Sequence, residues 1–371
     1  MNRKKKIKIV IYSLLFGLIL GGAGFITYNY FYPNGGIFSF LPSKETTTNT
    51  VANPLDGTQS DPSLANRHPL AIIVENYPAA RPQIGLRDAS IVYEAISEGG
   101  ITRFMAVYGP KDVSKVGPVR SMRTFFLDWA TEYNAFTAHV GGNIDALDRI
   151  KPEKVPDLDQ FGLGTKAYWR EPVKGVATEH TMFTDTTKLY AAAKEKGYDL
   201  AANFKAMKFL TTKNFKAPAI TSQTFIIDFS SASYKVDYAY DPKTMTYLRN
   251  IAGSAHKDRN TGNQLAPTNV IIQAVSRHEG TTRINENSWT MNTIGEGDAI
   301  VLYGGKEIKA TWKKKDLHSR TLFYDTTAKE ISFLPGQFWY EIVPPEVFAK
   351  VKVTTVSASP SVSPSATADE L

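Results

Sequence analysis

Between Gly117 and Tyr133 the chain reads G-P-V-R-S-M-R-T-F-F-L-D-W-A-T-E-Y, and this stretch restricts the fold more than any other. Met122, Phe125, Phe126, Trp129, Ala130 and Tyr133 recur at i, i+3, i+4, i+7, i+8 and i+11, which sets six apolar groups on one stripe of an α-helix. The spacing predicts a helix laid on a core. Its start is expected at Gly117-Pro118, because proline is tolerated in the first turn, where its missing N–H would have no intrahelical partner. Arg120 and Arg123 then fall in or near that turn, where the positive end of the helix dipole disfavours cations. An anion would complete the arrangement, since free backbone N–H groups, two guanidinium forks and the Ser121 hydroxyl could share it. Both arginines could equally be solvated or paired with the protein's own carboxylates. Dipole effects of about 0.3–1 kcal/mol do not decide between the two.

Upstream, Ile9 to Tyr28 is uncharged and apolar, about the 20 residues that a helix needs to cross a bilayer. It exceeds the ~7–15 residues of a signal-peptide apolar region, and no A-x-A-like cleavage site follows, so an uncleaved anchor is expected over residues 9–32. Five basic residues precede it, which places the segment 1–8 in the cytoplasm and everything beyond the anchor outside the cell membrane. Those five cations also explain the net charge of +7. Without them the chain has 38 basic and 36 acidic residues, so the high pI gives no reason to expect nucleic acid as a partner. The sequence has no cysteine, which excludes disulfides, thiolate metal sites, a cysteine nucleophile and a lipidated N-terminal cysteine.

Residues 33–67 are rich in Pro, Gly, Ser, Thr and Asn and are expected to be a flexible linker; residues 357–371 are expected to be a disordered tail. Between them lies room for two folded domains. Over 68–216, L-A-I-I-V-E, S-I-V-Y-E-A-I and I-T-R-F-M-A-V-Y read as strands, the last two as a hairpin across S-E-G-G in which Glu94 and Arg103 are positioned to pair. The arginine-bearing helix, the strand A-F-T-A-H-V, the glycine turn Gly141-Gly142-Asn143 and the helix I-D-A-L-D-R-I follow, an α/β pattern. Asp185 and Gly197 bracket one more helix. Over 217–356 about nine or ten short strand-type segments predict a second, mostly antiparallel β domain. The fold expected is an α/β domain followed by a β domain, α+β overall, behind a transmembrane helix.

No phosphate loop, nucleophile elbow or zinc-protease motif is present. An anion site is expected from Arg103, Arg120 and Arg123, with Arg170 nearby and the backbone of Gly141, Gly142 and Asn143 as a second cradle. A hydrolase or transferase would instead use Ser121 as nucleophile and His139 or His180 as base, oriented by Glu98 or Glu179. Zinc held by His139, His180 and a carboxylate is disfavoured by their isolated spacing, and no metal or other cofactor is expected.

The strings I-V-E-N-Y-P-A-A-R-P-Q-I-G-L, A-S-I-V-Y-E-A-I-S-E-G-G-I-T-R-F, V-G-P-V-R-S-M-R and H-V-G-G-N, with T-G-N-Q-L-A-P-T-N-V-I-I-Q and L-P-G-Q-F-W-Y-E-I-V-P further on, resemble the bacterial YerB-like family over roughly His68 to Pro344. That family is divided into an N-terminal and a C-terminal domain and is of unknown function. The resemblance implies a cell-envelope protein of Gram-positive type. Its members are often predicted lipoproteins, whereas this chain lacks the cysteine and carries the apolar run instead. Three functions therefore compete: binding of an anionic wall polymer, lipid head group or peptide; envelope catalysis through Ser121; and a scaffold for wall-synthesis proteins, with an envelope protein as partner.

Overall fold

A nine-stranded mixed sheet organises the computed structural model, which describes residues 49–201, 204–211, 213 and 215–357. In spatial order its strands are Leu322–Asp325, Lys306–Lys314, Gly295–Tyr303, Asn269–Ala274, Phe338–Val343, Ile91–Glu98, Ile101–Tyr108, Leu70–Glu75 and Phe136–Ala138. Phe338–Val343 runs parallel to both of its neighbours, and Leu70–Glu75 runs parallel to Phe136–Ala138; the remaining pairs are antiparallel. L-A-I-I-V-E, N-V-I-I-Q-A and F-W-Y-E-I-V are buried at every position, as expected of strands covered on both faces.

One face, with Val92, Ile96, Phe104 and Trp339, packs against a five-stranded antiparallel sheet and the helix Thr186–Glu195. That sheet comprises Ile220–Asp228, Lys235–Asp241, Thr246–Ile251, Ser254–Ala255 and Val353–Ser357. The other face, with Tyr93, Ala95, Met105 and Tyr340, meets Phe125, Phe126 and Trp129 of the helix Thr124–Thr131. Tyr93 stacks between Trp129 and Tyr340 at centroid distances of 5.2 and 4.4 Å. The class is mixed α/β, mostly strands with a few helices.

Several expectations differ from what is observed. The anchor expected at 9–32 and the tail from 358 onward lie outside the described residues; among the described residues no helix is long and apolar enough to cross a membrane. The linker expected to reach residue 67 ends earlier. Val51–Ala52 pairs with Gln59–Ser60, Leu55 is buried, and the Asn53 amide donates to the Ala65 carbonyl at 2.7 Å. The turn residues that suggested flexibility build a tight, packed hairpin. The division expected at 216/217 is not a division of the sheet, because Phe338–Val343 from the second half lies directly beside Ile91–Glu98 from the first. From Thr50 onward the described residues form one compact unit.

The helix expected from Gly117 begins at Thr124, with Arg123 extended before it and making no side-chain cap. Residues 117–123 instead cross the molecule in extended form, with Val119 bridged to Val74 and Met122 to Gly142. Gly117 has φ +147°, and a Cβ there would lie 2.8 Å from the Met182 carbonyl, so the crossing admits only glycine. Glu94 and Arg103 do not pair. Arg103 opposes Ala95 and Glu94 opposes Phe104, which sends the two charges to opposite faces.

Glu94 reaches instead into the interface between the two sheets. There Arg249 pairs with Glu94, places its Nε 3.5 Å from Glu341 Oε1, and lies 4.6 Å from the centre of the Trp339 ring; all three charged groups are fully buried. Arg249 Nε also donates to the Tyr238 hydroxyl at 2.9 Å, and that hydroxyl donates to Glu341. Truncating Arg249 to Leu should destabilise the protein by about 3–5 kcal/mol in chemical denaturation, because the buried Glu94 carboxylate loses its counter-ion. Burial, then the neighbouring Glu94, raises the Glu341 carboxyl from 4.5 to about 8, against the pull of Arg249. The folded protein therefore binds a proton that the unfolded chain has released. This contribution is full below pH 4.5 and is lost as pH rises to about 8. Denaturation midpoints across that range should fall in the parent, by at most about 1.4 kcal/mol per pH unit from this group, and flatten in Glu341→Gln.

Candidate functional site

Strand ends on the helix-covered side of the large sheet collect five charged groups. Glu75 closes its strand and is directly opposite Arg103 in the register, so both project from the same face. Glu98 closes the preceding strand, just before the Gly99-Gly100 turn. The extended crossing then delivers Arg120 and Arg123. Arg120 pairs with Glu75, whose side chain is 2 % exposed, and donates to the Glu179 carbonyl at 3.3 Å. His180 Nδ1 lies 3.1 Å from the same Glu75 carboxylate, and its ring stacks on Tyr77 at 4.8 Å.

Glu98 bridges two guanidinium groups. One oxygen accepts from Arg103 at 2.6 Å and the other pairs with Arg123, while Arg103 also donates to the Ser121 carbonyl at 3.0 Å. Three guanidinium groups therefore face two carboxylates. Burial opposes ionisation of Glu98, but Arg103 and Arg123 outweigh it and hold the carboxyl below the ordinary glutamate range. Burial, then repulsion from Arg103, pulls Arg123 down to about 10 in spite of Glu98. Arg120 and Arg123 keep 23 % and 15 % of their side chains exposed, so solvent reaches the cluster. Glu98, Gly99 and Gly100 also form one wall of a 320 Å³ cleft, whose other wall is the hairpin Arg277–Thr281/Asn287–Met291 through Glu279, Ser288 and Trp289.

The structure thus brings together Arg103, Arg120, Arg123, Glu98, His180 and the backbone of Ser121. Arg170 is exposed and donates to the Thr178 carbonyl, in the same short turn that Arg120 reaches. The second cradle is not available. The Gly141 N–H donates to Asp159 at 2.9 Å, Gly142 is bridged to Met122, and Asn143 caps the helix Ile144–Ile150 and donates to Ser288 at 3.0 Å. His139 is fully buried with an acceptor at each ring nitrogen, the Gly141 carbonyl at 2.8 Å and Asp157 at 3.0 Å, which leaves neither nitrogen to serve as a base. Among the described residues the Ser121 hydroxyl has no hydrogen bond to either imidazole, and Glu98 faces arginines instead of a histidine. Sequence reasoning passed over Glu75. Its signal was a lone carboxylate ending an otherwise wholly apolar strand.

Two family models match the chain: "Protein of unknown function (DUF3048) N-terminal domain" over residues 55–199 and the corresponding C-terminal domain over 225–340. The chain is 29% identical over 304 residues to the candidate lipoprotein YerB of Bacillus subtilis (strain 168), covering 80% of this chain and 88% of that protein. It is also similar to the crystal structure of YerB protein from Bacillus subtilis, with a TM-score of 0.72 and 27% identity over 82% of this chain and 99% of that one.

The hydrogen bonding of His139 gives it a packing role. Replacing it with Leu should cost about 1–3 kcal/mol of stability by denaturant titration, because Asp157 loses a buried partner.

Proposed function

Since the chain belongs to the YerB-like family, whose function is unknown, we propose that it is a membrane-tethered envelope protein that binds an anionic group at Arg103, Arg120 and Arg123. The observation that carries this proposal is the surplus of one guanidinium over the carboxylates that pair with the cluster. Buried or half-buried cations without a full complement of counter-charge are costly, and an external carboxylate or phosphate would supply it. Glu98 marks the position such a group would take. It sits between two guanidinium forks, it ends a strand at a glycine turn, and its side chain is 36 % exposed. A ligand competes with it for Arg123 and adds to the charge balance at Arg120.

The tether is proposed on two grounds. The name of the Bacillus subtilis relative describes it as a candidate lipoprotein. This chain has no cysteine for a lipid, but it carries the uncharged run from Ile9 to Tyr28 behind five cations, so the anchor is taken to be that run with the folded part outside the membrane.

Calorimetric titration of the full chain in detergent with inorganic phosphate, acetate and glycerol phosphate tests the site. Arg123→Ala and Arg120→Ala should each weaken binding at least about tenfold, which is 1.4 kcal/mol, with circular dichroism unchanged. Glu98→Gln should strengthen binding by a similar factor, because the internal competitor loses its charge. Unchanged affinity in both arginine variants would remove the proposal.

A further inference from the structure

A second concavity, at the opposite edge of the large sheet, is more basic than the arginine cluster. The strands Gly295–Tyr303, Lys306–Lys314 and Leu322–Asp325, with the loop after Lys314 and the segment at Lys205, line an open cleft of 830 Å³. Among the described residues Lys205, Lys313, Lys314, Lys315 and Arg320 line it against a single carboxylate, Glu296. Glu296 is already paired with Lys313 at 2.7 Å. Among the described residues Lys205 and Lys315 have no ion-pair partner.

Arg320 is the telling residue. It is 5% exposed, yet among the described residues no carboxylate lies within ion-pair distance of its guanidinium. It donates to the Lys205 carbonyl at 3.2 Å and to the Tyr133 hydroxyl at 3.3 Å, lies 4.1 Å from the centre of the Tyr133 ring, and its buried Nε has no partner. Lys314, beside it, is fully buried as well and donates to the Asp128 carbonyl at 3.0 Å. Behind these two cations stands one carboxylate, Glu132, 3.5 Å from Lys314. Its oxygens are committed to the Tyr93 hydroxyl at 2.8 Å and to the backbone and hydroxyl of Thr321. Two buried cations on one buried anion leave a charge that folding alone does not compensate.

We propose that this cleft binds a linear polyanion of the phosphodiester class, several phosphates at a time, as a site separate from Arg103, Arg120 and Arg123. A single carboxylate or phosphate would neutralise one of the uncompensated cations. A polymer with regularly spaced phosphates neutralises Arg320 at depth through its planar fork and Lys205 and Lys315 at the rim as point charges. A base-free backbone fits better than a nucleic acid: among the described residues Tyr324 and His318 are the aromatic rings lining the cleft, no Phe or Trp joins them, and single-stranded nucleic acid is held on stacking platforms of several rings.

The test uses the full chain in detergent, with long-chain poly(glycerol phosphate) as probe and with single-stranded DNA, phosphatidylglycerol vesicles and inorganic phosphate as separate arms. The parent should bind the polymer with an affinity that falls steeply with salt. The double variant Lys205→Glu/Lys315→Glu changes two exposed side chains and keeps the core, so it should weaken polymer binding at least about tenfold and flatten the salt dependence. Arg320→Lys should weaken it further while circular dichroism stays that of the parent. Arg123→Ala should leave the steeply salt-dependent component of polymer binding in place, and the double variant should leave inorganic phosphate binding at the arginine cluster unchanged, which separates failure here from failure at that cluster. Parent-like polymer binding by Lys205→Glu/Lys315→Glu, DNA binding as tight as polymer binding, or binding to vesicles alone would each overturn the proposal.

Discussion

A guanidinium sealed between two sheets sets the terms for the rest of the molecule. Arg249 belongs to the five-stranded sheet, and the carboxylates it serves, Glu94 and Glu341, stand side by side in parallel register on the large one. Burying an ion pair earns little net stability against apolar residues of the same shape, so its value lies in what it forbids. A slip of one residue in either strand would turn a carboxylate to the other face, among Tyr93, Tyr340 and Trp129, and out of reach of Arg249. The triad therefore fixes the register of the two central strands and the seating of the small sheet on them at once.

The same pleat sorts the charges that reach solvent. Along one hairpin Glu94 goes to the inter-sheet face and Arg103, one register step away, to the helix-covered face, where Glu75 and Glu98 end their strands beside it. Strand ends are the places where a sheet can present charge without burying it entirely. There the extended segment 117–123 adds two more guanidinium groups, its path fixed by Gly117. The two basic regions of the protein differ in construction. At the first, arginines share carboxylates close to a strand end; at the second, lysines rim a cleft over a buried arginine that pairs with none among the described residues.

Much of the element content was legible because it rests on local physics. Asp185 accepts from the N–H groups of Thr187 and Lys188, and Asn143 caps Ile144–Ile150, both as their side-chain chemistry implies. The apolar stripe Phe125, Phe126, Trp129, Ala130 and Tyr133 is buried as its period requires. Its beginning was misplaced because proline suits a first helical turn and an extended crossing alike; the choice was made by contacts with Val74 and Gly142, distant in sequence. Arg103, Arg120 and Arg123 were found as a group for the same reason that their partners were not. Their clustering is local, whereas Glu75 reaches Arg120 only through the sheet. The pairing of Phe338–Val343 with Ile91–Glu98, about 250 residues apart, leaves no trace in either segment's own composition.

That pairing has a consequence for how the protein is made. The Ile91–Glu98 strand has an unfilled edge until Phe338–Val343 has been synthesised and delivered, so a nascent chain that has emerged only as far as its first half carries a sticky, apolar ribbon. Because the last-made strand of the large sheet is its central one, closure of that sheet waits on nearly the whole polypeptide, and its long-range contacts predict slow, all-or-none maturation. A fragment ending before Phe338 would display that ribbon permanently and would pair with its own copies in place of the missing neighbour.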